Sequence, residues 1–150
     1  MAFGATAIAW PVTYSASEIR ARVVDKQSGL PIQGAAVVAR WVLLTELFGG
    51  GDSHYFDSVQ DLEATTDVDG WFVIPAWGPK AHSPNSHLTK FSPQIFIFKS
   101  EYYGKRVANE FDIKPDVSTP VSDWNGKTIA LRPFDGDWKA YVGSLNDMYS

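Results

Sequence analysis

The chain has 150 residues, of which 45% are apolar and 14% aromatic, so it can form one domain with a sizeable core. A net charge of -4 argues against an electropositive nucleic-acid surface, and no nucleic-acid partner is expected. With no cysteine there is no disulfide framework, no thiolate nucleophile and no thiolate metal site.

Residues 1–17 carry no charged side chain. AFGATAIAWPV, followed by Ser15, Ala16 and Ser17, resembles part of a signal-peptide apolar region, but the basic stretch that should precede it is missing. Pro11 and several Ser and Thr make a poor membrane span, which leaves membrane association as the lesser alternative. The segment reads as an N-terminal arm or first strand that buries Ile8, Trp10 and Val12. The surface it covers belongs to its own domain or to a neighbouring molecule. IRARVVD (19–25) then alternates apolar and polar with period two, the mark of a half-buried strand. KQSG (26–29) is a turn, and PIQGA (31–35) leads into the long apolar strand AVVARWVLL (36–44). GGGDS (49–53) opens a loop expected to run to about Leu62.

Asp67-Val68-Asp69-Gly70 admits two readings. Aligned with a calcium loop, Gly70 takes position six and Thr65, Asp67 and Asp69 take ligand positions, but Ala76 stands where a bidentate glutamate is needed. Asp69-Gly70 between β-prone runs is better read as the tight turn of a hairpin, because both residues tolerate positive φ. The strands of that hairpin would be 63–66 and 71–74, the second stopped by Pro75. Residues 78–93, rich in Pro, Ser, Asn and His, read as a long loop. Strands are expected at 94–99, within 103–113 and at 127–131. Trp138, Tyr141, Val142, Leu145 and Met148 have helical spacing, which predicts a short helix over 137–149. About seven strands at this spacing suggest an all-β sandwich. The implied organisation is an arm or first strand at 1–17, a sandwich at 18–136 and a helix packed on it at 137–150.

IRARVVDKQSGLPIQGAAVVARW (19–41) and ATTDVDGWFVIPAWGP (64–79) together resemble the carboxypeptidase regulatory-like domain. The likeness covers roughly residues 18–79, and TIALRPFDGDWKAYVGSL (128–145) is similar to the ends of small exported bacterial members. The resemblance implies a seven-stranded transthyretin-like β-sandwich (Ig-like, prealbumin-type) with a short C-terminal helix. Domains of that family are mostly non-catalytic accessory or binding modules of exported and envelope proteins. It therefore implies a periplasmic or extracellular location, protein–protein contacts or self-association through the arm, and neither enzyme activity nor cofactor. Its glycines and aspartates are turn chemistry and specify fold more than function.

Intradiol ring-cleaving dioxygenases share Gly34-Ala35-Ala36-Val37 with Trp41 and the Thr66–Gly70 turn. They hold ferric iron with two tyrosines and two histidines. Here Gln94 and Phe96 stand where the imidazoles would be, leaving only Tyr102 and Tyr103, so that enzyme is the disfavoured third reading. Hydroxyisourate hydrolases end in Tyr-Arg-Gly-Ser, whereas this chain ends Asn-Asp-Met-Tyr-Ser. His82 and His87 share a stretch with Asn85 and Ser86, and His54 lies near Asp52 and Asp57. Such imidazoles can bind zinc or copper, but spacing this loose reads as solvated polar residues, and no metal is expected. No nucleophile elbow, P-loop or dinucleotide fingerprint is present. Of the six tryptophans, Trp41 and Trp71 sit in strands and read as core. Trp77 and Trp124 sit beside turn residues. They are candidate partner contacts, to protein or sugar, or plugs at the sandwich ends. A small-ligand or carbohydrate-binding module is thus the alternative to a protein-binding one.

Overall fold

The computed structural model describes residues 12–46, 54–82, 85–89, 91–110 and 121–149. Ile8 and Trp10 lie outside them. The elements in chain order are β1 (Val12–Ala16), β2 (Ile19–Asp25), β3 (Ala36–Glu46), β4 (His54–Thr65) and β5 (Trp71–Ile74). They continue with β6 (Trp77–His82), β7 (Ser86–Leu88), β8 (Gln94–Phe98), β9 (Lys105–Val107), β10 (Thr128–Leu131) and α1 (Trp138–Asn146). The described residues thus hold ten strands, not about seven.

The strands form three sheets around one core. The largest runs β4-β3-β8-β9, with β7 pairing the far half of β3. A second runs β10-β2-β5, and β1 and β6 make a two-stranded ribbon. The fold is therefore all-β and sandwich-like. Alternation explains which side chains go inside: Ile19, Ala21 and Val23 of β2, and Val37, Ala39, Trp41 and Leu43 of β3, are all buried. Phe72, Ile74, Ile95, Ile97, Ile129 and Leu131 join them in one cluster. Each buried Val, Leu, Ile or Phe contributes about 1.5–3 kcal/mol by leaving water, which is where most of the fold's stability lies.

Four expectations change. Residues 54–62 are not loop but the first part of β4, paired with β3 from Glu46↔His54 onward. Their polar sequence suits an edge strand, which among the described residues has no neighbour on its other side. The supposed loop 78–93 contains β6 and β7. Pro79 is tolerated because, among the described residues, β6 pairs with β1 alone, and a proline on an edge costs no ladder bond. Gly78, at φ +98°, makes that ribbon close: a Cβ there would meet the Ser15 Cα at 2.7 Å. The stretch 63–66 and β5 are not a hairpin, because β4 pairs with β3 while β5 pairs with β2. The Asp-Gly turn is a corner that passes the chain from one sheet to the other. Within 103–113 the described strand is only the short β9, paired with β8.

β4 is a long edge with a break in its register. Trp41 faces Gln60 and Val42 faces Ser58, so Val59 is the extra residue of a bulge. Its side chain is buried, and its carbonyl accepts from Lys80 Nζ at 3.4 Å. The bulge and the charges of Asp57, Asp61 and Glu63 blunt an edge that could otherwise template a further strand.

Candidate functional site

The two motifs behind the family resemblance meet in space, and the side chains of Thr66 and Asp67 are occupied there. Buried Thr66 donates through Oγ1 to the Ile32 carbonyl at 2.6 Å and accepts from the Ala35 N–H at 2.8 Å. The Gly34 N–H donates to the Thr66 carbonyl at 3.0 Å. Asp67 Oδ1 accepts from the backbone N–H of both Asp69 and Trp71, each at 2.9 Å. Gly70 sits at φ +80°, where a Cβ would come 2.4 Å from the Val23 carbonyl oxygen. These residues clasp 31–35 to the sheet corner. Asp69 and Gly70 lie in the turn that Asp67 closes.

The outer face of the five-stranded sheet is different. With Val37, Ala39 and Trp41 pointing inward, Val38, Arg40 and Val42 must point out, beside Gln94 and Phe96 of β8. Phe56, Asp57 and Ser58 of β4 flank them on one side, and Met148 and Tyr149 follow α1 on the other. All of these but Val38 line an open groove of about 420 Å³. On its floor Arg40 grips Asp61 with two bonds, Nε to Oδ1 at 3.0 Å and Nη2 to Oδ2 at 3.2 Å. Ser58 donates to the same carboxylate at 2.6 Å. Burial alone would raise the Asp61 carboxyl, but the bonds from Arg40 and Ser58 outweigh it and hold it below the ordinary range. The guanidinium lies 5.7 Å from the centre of the Phe96 ring. Phe56 is 63% exposed, Phe98 40% and Tyr149 91%.

A second exposed apolar row lies on α1. Asp137 caps it by accepting from the Ala140 N–H at 3.0 Å. Phe134 packs against Trp138 and Tyr141, with ring centres 4.6 and 5.3 Å apart, and Tyr103 packs against Tyr141. Leu145 and Met148 turn toward Gly104, while Trp138 (67%) and Val142 (52%) stay exposed. The helical spacing was legible, but not that part of its apolar stripe faces outward. Beneath it Asp135 accepts from the Tyr103 hydroxyl and the Arg132 guanidinium. Tyr103, the Asp137 N–H and Arg132 pull its carboxyl down to about 2.

The remaining sequence candidates are scattered. Val12 opens β1, whose backbone pairs with β6 of the same chain, and Tyr14 and Ala16 of that strand are in the core. Trp77 and Trp124 are half-buried and pack against the core. Trp124 Nε1 donates to the Ala108 carbonyl at 3.0 Å. Trp77 meets Trp41 edge-on, ring centres 5.4 Å apart at 78°, and neither indole N–H has a hydrogen-bond partner among the described residues. The four residues at dioxygenase positions do not converge. Tyr102 donates to Asp25 and Tyr103 to Asp135, while Gln94 and Phe96 line the groove. His82 lies beside Tyr14 and His87 is exposed on β7; among the described residues no three His, Asp or Glu cluster as for a metal. Among the described residues no helix is long and apolar enough to cross a membrane. Arg40 and Phe56 were missed because only the strand register shows that they share a face. The available signal was apolar residues at both parities of β3, which implies two covered faces. Comparison with known proteins finds no family model, curated protein or solved structure that matches the chain.

Proposed function

We propose that the chain is a non-catalytic binding or assembly module, built as a transthyretin-like sandwich of the carboxypeptidase regulatory-like kind. It acts through protein–protein contacts in the bacterial envelope or outside the cell. The observation that carries this reading is the exposure of large apolar side chains, Phe56 and Phe98 on the large sheet and Trp138, Val142 and Tyr149 at the C-terminal end. Thr66 and Asp67 of the shared motifs support it, since their side chains are occupied in holding backbone rather than presented to a substrate. Light scattering on the full chain, on a chain lacking residues 1–11 (which keeps β1) and on Trp138→Ser tests it. The full chain should be heavier than a monomer, and the truncation or the substitution should reduce that mass. Three monomers of equal melting temperature would defeat the assembly reading. The second reading, a small-ligand or carbohydrate module, is favoured by the groove.

A further inference from the structure

We propose that the groove on the outer face of the five-stranded sheet binds a short, uncharged oligosaccharide; this rests on the second reading above and not on assembly. The groove's size, about 420 Å³, falls within the range of about 300–1,000 Å³ typical of small-molecule sites. Its chemistry narrows the ligand. Among the described residues Arg40 is the cation lining it and is already matched by Asp61 through two bonds, while Asp57 adds a negative charge with no described cation of its own in the lining. An anionic ligand would therefore meet net repulsion. A cationic ligand would compete with the guanidinium already placed over the Phe96 ring. A purely apolar ligand would strip water from Arg40, Asp57, Ser58 and Gln94 while offering them no hydrogen bond.

A sugar meets each demand. Its C–H faces can lie on the exposed rings of Phe56 and Tyr149, and its hydroxyls both donate and accept. The Arg40–Asp61 pair is suited to vicinal hydroxyls. Its side chains are 45% and 41% exposed, so ligand can reach them, and Nη1 takes no part in the bonds that join the pair. Gln94 adds an amide that offers a donor and an acceptor together. The bonds to Asp61 from Arg40 and Ser58 fix the carboxylate before any ligand arrives, which lowers the ordering cost of binding.

The experiment titrates the full chain with neutral gluco-, manno- and chito-oligosaccharides by calorimetry and by amide chemical shifts. At least one should bind saturably, with shifts centred on β3, β4 and β8. Phe56→Ala changes an exposed side chain and should weaken binding by about tenfold or more, equivalent to 1.4 kcal/mol. Gln94→Ala should weaken it as well, and Trp138→Ser, outside the groove, should leave it unchanged. The inference is overturned if no neutral sugar saturates, if Phe56→Ala binds as the parent does, or if tetramethylammonium or an acidic peptide binds the groove in preference. A monomer that binds sugar would uphold it while the assembly reading fails. A sugar-blind oligomer would do the reverse.

Discussion

Gly70 carries the strictest requirement of any single position described. Its φ of +80° disfavours every side chain, and the Val23 carbonyl oxygen occupies the place of a Cβ. Gly70→Ala should cost about 2 kcal/mol or more, part left-handed strain and part displaced backbone, read from the urea midpoint. Calcium should not raise the melting temperature, since Asp67 Oδ1 is already held by two backbone amides. A rise of several degrees would restore the metal-loop reading. Glu101 presents the opposite case, a non-glycine residue at φ +71° with its carbonyl bonded to the Phe134 N–H at 2.7 Å. Left-handed strain of about 1–2 kcal/mol exceeds the chain-entropy cost of glycine, about 0.5–1 kcal/mol. Glu101→Gly should therefore raise the urea midpoint, and an unchanged or lowered one would show the strain to be absent.

At the scale of elements, the packing under α1 should respond to acid. The folded Asp135 carboxyl sits at about 2 against an ordinary 3.8, so its ionised form favours the folded state. That contribution is present in full above the ordinary value and is lost as pH falls through about 2. The Tyr103, Trp138 and Tyr141 resonances should shift between those limits, and Asp135→Asn should flatten the titration. A response unchanged in the variant would assign it to another carboxylate. The helix itself was readable, because apolar residues at helical spacing follow a capping aspartate. β6 and β7 were not. WGPKAH carries no alternation, since the ribbon buries it on one side only in part, and SHL is too short for a pattern to emerge. β4 was half readable. Its polar residues face solvent along an edge, and edge strands resemble loops in composition. The corner at 66–70 was misread as a hairpin for another reason: turn chemistry fixes the local backbone but not which sheet receives the next strand.

At the scale of the molecule, the inward set of the two larger sheets was legible from period-two runs such as IRARVVD. The outward set was not. That Arg40, Phe56, Gln94 and Phe96 share a face depends on the pairing of β3 with β4 and β8, including the residue skipped at Val59, and no spacing along the chain encodes it. The tryptophans divide in the same way: a strand position reads as core for both Trp41 and Trp71, yet Trp41 is buried and Trp71 is half-exposed under the Arg20 guanidinium, while Trp77, a surface candidate by sequence, packs against Trp41. Their contact has an optical consequence. Two indole rings held edge-to-face at 5.4 Å couple their electronic transitions, so the native protein should show a split circular-dichroism band that isolated indoles lack. Trp41 belongs to β3 and Trp77 to the ribbon of β1 and β6, so the band reports whether that ribbon is seated. Trp77→Phe should abolish the splitting while the backbone signal persists, and a band that survived would have to arise from another pair. In a urea titration, splitting that fades before the backbone signal would reveal the ribbon as the first part of the molecule to come away.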